Sequence, residues 1–173
     1  EARRLTQLPF APSGLKWSAD GKQLFFIAWT WPDAADDAAH KAKEQALKDN
    51  KVKAYVIDDA TYRYWDHWIT ENLANRLVHV DLATKALRDL TPGFAHRFNI
   101  SQTFTFEVSP DGQHVAVTID STPPPFKGYL NNDVYLVPVD GSGAMKNLTP
   151  ENPGDDSGAV FAQSSWSSRS GSA

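Results

Sequence analysis

The chain has 173 residues, 41% of them hydrophobic, with 17 Lys and Arg against 21 Asp and Glu for a formal net charge of −4. That length allows one cored domain or a few repeat units, and the scattered cations give no basic footprint for nucleic acid. The absence of Cys removes disulfides, thiolate nucleophiles and cysteine metal sites together, and no apolar run approaches the roughly 18 residues of a membrane span.

The chain opens on Arg4-Leu5-Thr6, which reads as a closing strand at residues 2–7 of a unit whose earlier strands precede it. After Pro9 and Pro12 come two strands near 14–18 and 23–30, joined by Ser18-Ala19-Asp20-Gly21. In such a turn the Asp bonds the backbone ahead of it and Gly accepts positive φ. Pro32 ends the hairpin, and from Asp33 to Asn50 the pattern becomes helical, with Asp33 as the expected cap, acids in the first turn and Lys48 in the last. Asp37–Lys41 and Glu44–Lys48 are i,i+4 pairs. The apolar face of this helix is alanine plus Leu47, so it is expected to lie on a surface as an insertion.

Residues 53–58 return to extended character, and residues 61–69 hold four aromatics: Tyr62, Tyr64, Trp65 and Trp68. Third and fourth strands follow at 76–82 and 86–90, closing on Asp89-Leu90-Thr91-Pro92. A second unit repeats the plan with strands near 103–108, 114–119, 133–139 and 144–148. It carries a Ser109-Pro110-Asp111-Gly112 turn, a Pro123-Pro124-Pro125 tract, an Asp140-Gly141-Ser142-Gly143 turn and the closure Asn147-Leu148-Thr149-Pro150. A third copy begins at Ala159-Val160-Phe161 but meets a Ser-rich tail, 162–173, which has too few aliphatics to bury a face.

Short strands repeated at roughly 50-residue spacing are the signature of propeller blades. The expected fold is therefore all-β. It is a partial β-propeller over residues 1–161, with two four-stranded antiparallel blades near 14–91 and 103–149, parts of flanking blades, and one surface helix insertion near 33–50. Open blades expose strand edges, so self-association through those edges is expected.

The turn and closure motifs resemble the WD40-like or TolB-like propeller repeats. The order of helix insertion, Val56-Ile57-Asp58, the aromatic run Tyr62-Arg63-Tyr64-Trp65-Asp66-His67-Trp68 and then Leu77-Val78-His79-Val80-Asp81-Leu82 is similar to the N-terminal propeller of the prolyl oligopeptidase family of serine peptidases. The likeness is greatest to bacterial acylaminoacyl peptidases and dipeptidyl peptidases. That resemblance implies a propeller of seven or eight blades capping an α/β-hydrolase domain and admitting short peptides. It also implies that the missing blades and the hydrolase domain, with its Ser, Asp and His, lie beyond this chain, and that the protein is periplasmic or secreted. No G-x-S-x-G elbow occurs here, since Gly154-Asp155-Asp156-Ser157-Gly158 has its serine one place late. No catalytic residue is therefore assigned, and the chain alone should not hydrolyse peptides. The alternative reading is a non-enzymatic TolB-like propeller module that binds a protein partner.

The candidate substrate-binding residues are Arg63, Trp65, Asp66 and Trp68. Apolar rings beside a carboxylate suit a peptide with a free amino terminus, with Asp66 pairing the ammonium. The competing reading is structural, with the rings packing the insertion against the propeller rim and Arg63–Asp66 as an internal pair. His67 next to Asp66 has no nucleophile motif to serve. The five histidines lack ligand spacing and the paired aspartates lack the alternation of a calcium loop, so no metal or other cofactor is assigned.

Overall fold

A computed structural model describes residues 5, 12–31, 33–34, 37–52, 54, 63–64, 67–68, 74–92, 106–123, 129, 131–142 and 144–162. In chain order its elements are β1 Ser13–Trp17, β2 Gln23–Thr30, α1 Asp37–Asp49, β3 Arg63–Tyr64, β4 His67–Trp68, β5 Ala74–Asp81, β6 Leu87–Asp89, β7 Phe106–Val108, β8 His114–Asp120, β9 Asn132–Pro138 and β10 Lys146–Asn147. One four-stranded sheet has the order β1-β2-β5-β6, a second has the order β10-β9-β8-β7, and β3 pairs with β4. All pairings are antiparallel. The chain is thus mostly sheet with a single helix among the described residues.

The two sheets repeat at the level of single hydrogen bonds. In the first hairpin Ser18 Oγ donates to Asp20 at 2.7 Å, and Gln23 N donates back to Ser18 Oγ at 3.0 Å. In the second, Ser109 Oγ donates to Asp111 at 2.5 Å, and His114 N donates to Ser109 Oγ at 2.9 Å. Gly21 and Gly112 close these turns at φ 67° and 69°, where a side chain is strained. The Leu-Thr closures match equally well. Thr91 N donates to Asp89 Oδ1 at 2.8 Å and Thr149 N to Asn147 Oδ1 at 2.9 Å. Each threonine hydroxyl then accepts from the neighbouring strand, from Leu77 N at 3.2 Å and from Val134 N at 3.1 Å. The motif thereby continues each ladder beyond the regular end of its fourth strand. Thr91 is fully buried, so Thr91→Val keeps the shape but leaves the Leu77 N–H without an acceptor. It is expected to cost about 1–3 kcal/mol, read as a lower urea midpoint.

Register makes the sheets comparable residue by residue. Gln23 pairs with Asp81 and Ile27 with Leu77 in the first sheet, as His114 pairs with Pro138 and Thr118 with Val134 in the second. The core between the sheets takes Phe25, Ile27, Leu77 and Leu90 from the first and Phe106, Val115, Val117, Ile119, Tyr135, Val137 and Val139 from the second. Phe25 and Ile27 correspond to Ala116 and Thr118, which alternate away from that core. Val115 and Val117 correspond to Leu24 and Phe26, which lie on the far side of the first sheet. Unlike faces therefore meet, and the packing is head-to-tail. On the far side of the first sheet, Leu24, Phe26, Ala28, Val78 and Val80 form a second cluster with Leu5 and Leu82 against it. Position for position this is the same arrangement, with Leu5 standing where Leu90 does and Leu82 where Val139 does.

Two polar contacts also cross the interface: Lys16 pairs with Glu107, and Arg88 donates to Val139 O at 3.3 Å and Asp140 O at 2.7 Å.

The sequence reading needs one correction at the helix. It starts at Asp37, so Asp33 is not its cap; Asp33 lies in a preceding turn and pairs with Lys43. The expected Glu44–Lys48 pair forms at 2.6 Å. The helix is also anchored by a buried residue, His40, whose ring lies 5.8 Å from that of Trp31. Residues 155–162 form no strand; Asp155 and Asp156 instead bond to Asn132 at the edge of β9. The closing strand at 2–7, apart from Leu5, and the tail beyond residue 162 lie outside the described residues.

Candidate functional site

The connections divide by length between the two ends of the sheets. At one end lie the tight connections 18–22, 82–86, 109–113 and 139–145. At the other lie 31–73, 90–105 and 121–131, and long connections on a rigid scaffold are where binding residues concentrate. The short end carries one aspartate per turn, each held below the ordinary carboxylate range. The Ser18 hydroxyl is the leading cause for Asp20, the Ser109 hydroxyl for Asp111, the Thr84 backbone N–H for Asp81 and the Ser142 backbone N–H for Asp140. These carboxylates are committed to turn geometry.

The long end differs. The 31–73 connection leaves β2 at Trp31, where Trp31 N donates to His40 Nδ1 at 3.5 Å, and then contains α1 and the β3–β4 hairpin. Of the candidate residues Arg63, Trp65, Asp66 and Trp68, the pairing sets Arg63 directly opposite Trp68 on the backbone, with Tyr64 opposite His67. Trp65 and Asp66 lie between the two strands in sequence and outside the described residues. Within the aromatic run the described residues are thus two short antiparallel strands, a pairing that the sequence reading had not assigned.

At the start of β5, Asn75 is only 3% exposed, and neither its amide oxygen nor its amide nitrogen has a partner. Such a group retains its full desolvation cost. Beside it the buried Arg76 guanidinium lies 3.9 Å from Asp89; burial lowers its pKa and Asp89 opposes that. In the second sheet the position of Arg76 is taken by Asp133 and that of Asp89 by Asn147. Asp133 there accepts from Ser121 Oγ at 2.6 Å and from Asn147 Nδ2 at 2.7 Å. Ser121 Oγ also lies 2.9 Å from the Tyr135 hydroxyl. Because Ser121 is bonded to Asp133 and Tyr135 rather than to an imidazole, it is not arranged as an activated nucleophile.

The rim of the second sheet is rich in oxygen acceptors. Asp120 accepts from Thr122 N at 3.0 Å, and Asp155 accepts from Asn132 N and Nδ2 at 2.9 and 3.1 Å. Asn131 Oδ1 and Asp156 Oδ2 are buried oxygens without a donor. Tyr129, in the same connection, is 98% exposed. The Asn131 and Asp156 oxygens are closed to solvent, so they mark polar atoms that the fold leaves unpaired. Sequence reasoning missed Asn75, Asn131 and Asp156. Nothing in the sequence marks them: Asn75 and Asn132 occupy equivalent positions, and the bonds from Asn132 to Asp155, absent at the Asn75 amide, appear only in the structure.

No family model matches the sequence. The chain is 25% identical over 172 residues to Dipeptidyl-peptidase 5 of Porphyromonas endodontalis, an alignment covering 94% of this chain and 23% of that protein. The chain therefore spans under a quarter of the length of that relative. The similarity supports a relation to a peptidase family.

Proposed function

We propose that this chain is a β-propeller segment of a serine peptidase of the prolyl oligopeptidase family, and that it gates and positions short peptides for a hydrolase domain carried elsewhere in the polypeptide. The observation that carries this reading is the head-to-tail packing of the two repeated sheets. Stacking unlike faces repeats one rotation, which generates a ring when it closes, whereas a two-sheet sandwich would bury like faces of a closed pair. The similarity to a dipeptidyl peptidase supplies the reaction class. In this reading the long connections face the substrate, and the β3–β4 hairpin presents Arg63, Trp65, Asp66 and Trp68 to the peptide amino terminus.

The test compares the full-length protein with the 173-residue chain on fluorogenic dipeptide reporters. The full-length protein is expected to hydrolyse them and the isolated chain to be inert. In the full-length protein Asp66→Asn removes the partner of the substrate ammonium. It is expected to raise KM about tenfold to a hundredfold, the equivalent of roughly 1–3 kcal/mol, with a smaller change in kcat. A full-length protein without peptidase activity would overturn the reading, and an unchanged KM would remove Asp66 from the site.

A further inference from the structure

The tight end of the sheets carries three Asp-Gly pairs, Asp20-Gly21, Asp111-Gly112 and Asp140-Gly141. In this dipeptide the peptide nitrogen reaches the side-chain carboxyl with least obstruction, because glycine has no Cβ to crowd the approach. The first two pairs are locked. Gly21 N donates to Ser18 O at 3.0 Å and Gly112 N to Ser109 O at 2.8 Å, so the proton on each nitrogen is committed. Their carboxylates are held from two sides, Asp20 by Ser18 Oγ and Lys22 N, and Asp111 by Ser109 Oγ and Gln113 N.

Asp140-Gly141 differs on each count. Among the described residues Gly141 N donates no hydrogen bond, and the Asp140 carboxylate is hydrogen-bonded by Ser142 alone, whose backbone N–H donates at 2.8 Å. Arg88 Nη1 instead donates to Asp140 O at 2.7 Å and to Val139 O at 3.3 Å. The Asp140 carbonyl and the Gly141 N–H belong to one amide group. A guanidinium on the oxygen of that amide stabilises the charge that develops as its nitrogen gives up a proton. Glycine is also what admits the guanidinium, since a Cβ at 141 would lie 3.1 Å from Arg88 Cδ and 3.3 Å from Arg88 Nη1. All three carboxylates are held below the ordinary range, so ionisation does not tell the pairs apart, whereas the state of the amide does.

We propose that Asp140-Gly141 is a site of spontaneous covalent modification, promoted by Arg88. The Gly141 nitrogen attacks Cγ of Asp140 and forms a C–N bond; the C–O bond of the carboxyl group breaks, and its oxygen leaves as water with the proton from the nitrogen. The product is a cyclic succinimide. Water then adds to either ring carbonyl. Addition at Cγ restores aspartate, and addition at the former peptide carbon leaves isoaspartate, whose main chain runs through Cβ and is one carbon longer. That second opening turns the carbonyl held by Arg88 into a free carboxylate and lengthens the connection between β9 and β10. Because Arg88 reaches this carbonyl from the other sheet, the modification alters a contact between the sheets. The inference stands on the three turns and is independent of the peptidase reading.

The experiment incubates the 173-residue chain and its Arg88→Gln variant for weeks in neutral buffer, folded and in concentrated urea. Peptide mapping follows each Asp-Gly pair, with succinimide read as the loss of one water and isoaspartate identified by electron-transfer fragmentation. In the folded parent isoaspartate is expected to build up several times faster at 140 than at 20 or 111, and in urea at similar rates at all three. Arg88 is exposed, so the variant should keep the circular dichroism of the parent. Arg88→Gln is expected to slow position 140 alone by roughly tenfold, the order of one charge-assisted hydrogen bond. A variant that merely loosened the fold would move all three sites towards their rate in urea, so a selective fall at 140 is not imitated by unfolding. Equal rates at the three pairs in the folded parent, or a rate at 140 that Arg88→Gln leaves unchanged or raises, would overturn the inference. Inactive peptidase assays would leave this result untouched.

Discussion

Leu90→Ala is expected to lower the unfolding free energy by about 2–4 kcal/mol, while Leu148→Ala lowers it by less than about 1 kcal/mol. The two leucines sit in the same Leu-Thr closure, on equivalent strands, with the same backbone bond to the neighbouring strand, from Leu90 N to Leu77 O and from Leu148 N to Val134 O, each 2.8 Å. Intrinsic propensity and local hydrogen bonding are therefore matched. What differs is that the second sheet packs over Leu90, which is 2% exposed, whereas Leu148 is 45% exposed. Truncating the first leaves a cavity in a core shared by both sheets, and truncating the second removes surface that water already touches. Urea unfolding at low protein concentration, where association is negligible, measures the pair. Equal losses for the two variants would mean that the sheets do not pack as separate repeats on a common rule.

The same comparison shows how far the sequence could be read. The turns were legible because Ser-x-Asp-Gly states its own hydrogen bonds: hydroxyl to carboxylate, backbone to hydroxyl, and glycine at positive φ. Strand positions followed from alternation, and the antiparallel pairing of β1 with β2, β5 with β6, β7 with β8 and β9 with β10 followed from their short connections. The start of the helix was misread because Asp33 has good capping chemistry, but its carboxylate is taken by Lys43. That tertiary choice is invisible to a local pattern. The packing direction was hidden as well, since both faces of the first sheet are apolar and alternation alone does not say which of them meets the next sheet. Recognising unlike faces required the register, which links Phe25 to Ala116 and Leu24 to Val115.

The site was the least legible part. Polar residues inside strands read as the solvent face, yet Asn75, Arg76, His79 and Asp133 are all buried. Their burial comes from packing between and around the sheets rather than from any neighbour in sequence. Comparing the repeats exposes them. Arg76 beside Asp89 in one sheet and Asp133 beside Asn147 in the other are two solutions for one pair of positions, and the change at one is matched by a change at the other.

His79→Leu is expected to make the chain more stable than the parent at pH 5, and to flatten the pH dependence of stability between pH 8 and 5. His79 is 8% exposed, neither ring nitrogen has a partner, and its ring lies 5.2 Å from that of Phe25. Burial is the main cause holding its pKa below 6.5; Arg88 adds to that effect and Asp81 opposes it. A histidine depressed on folding is protonated first in the unfolded chain. Its stabilising effect is therefore complete above pH 6.5 and is lost as the pH falls below that, with a slope of at most about 1.4 kcal/mol per pH unit. The turn carboxylates Asp20, Asp81, Asp111 and Asp140, all shifted down from 3.8, act only at lower pH, so the two windows separate. The second sheet has Leu136 at the position of His79, so a leucine suits this strand position. Replacing an unpartnered buried imidazole with an apolar side chain also removes its desolvation cost. The check is urea unfolding of parent and variant at pH 8, 6.5 and 5. A gap that widens towards acid identifies His79 as the titrating group, and parallel curves would assign the acid sensitivity elsewhere.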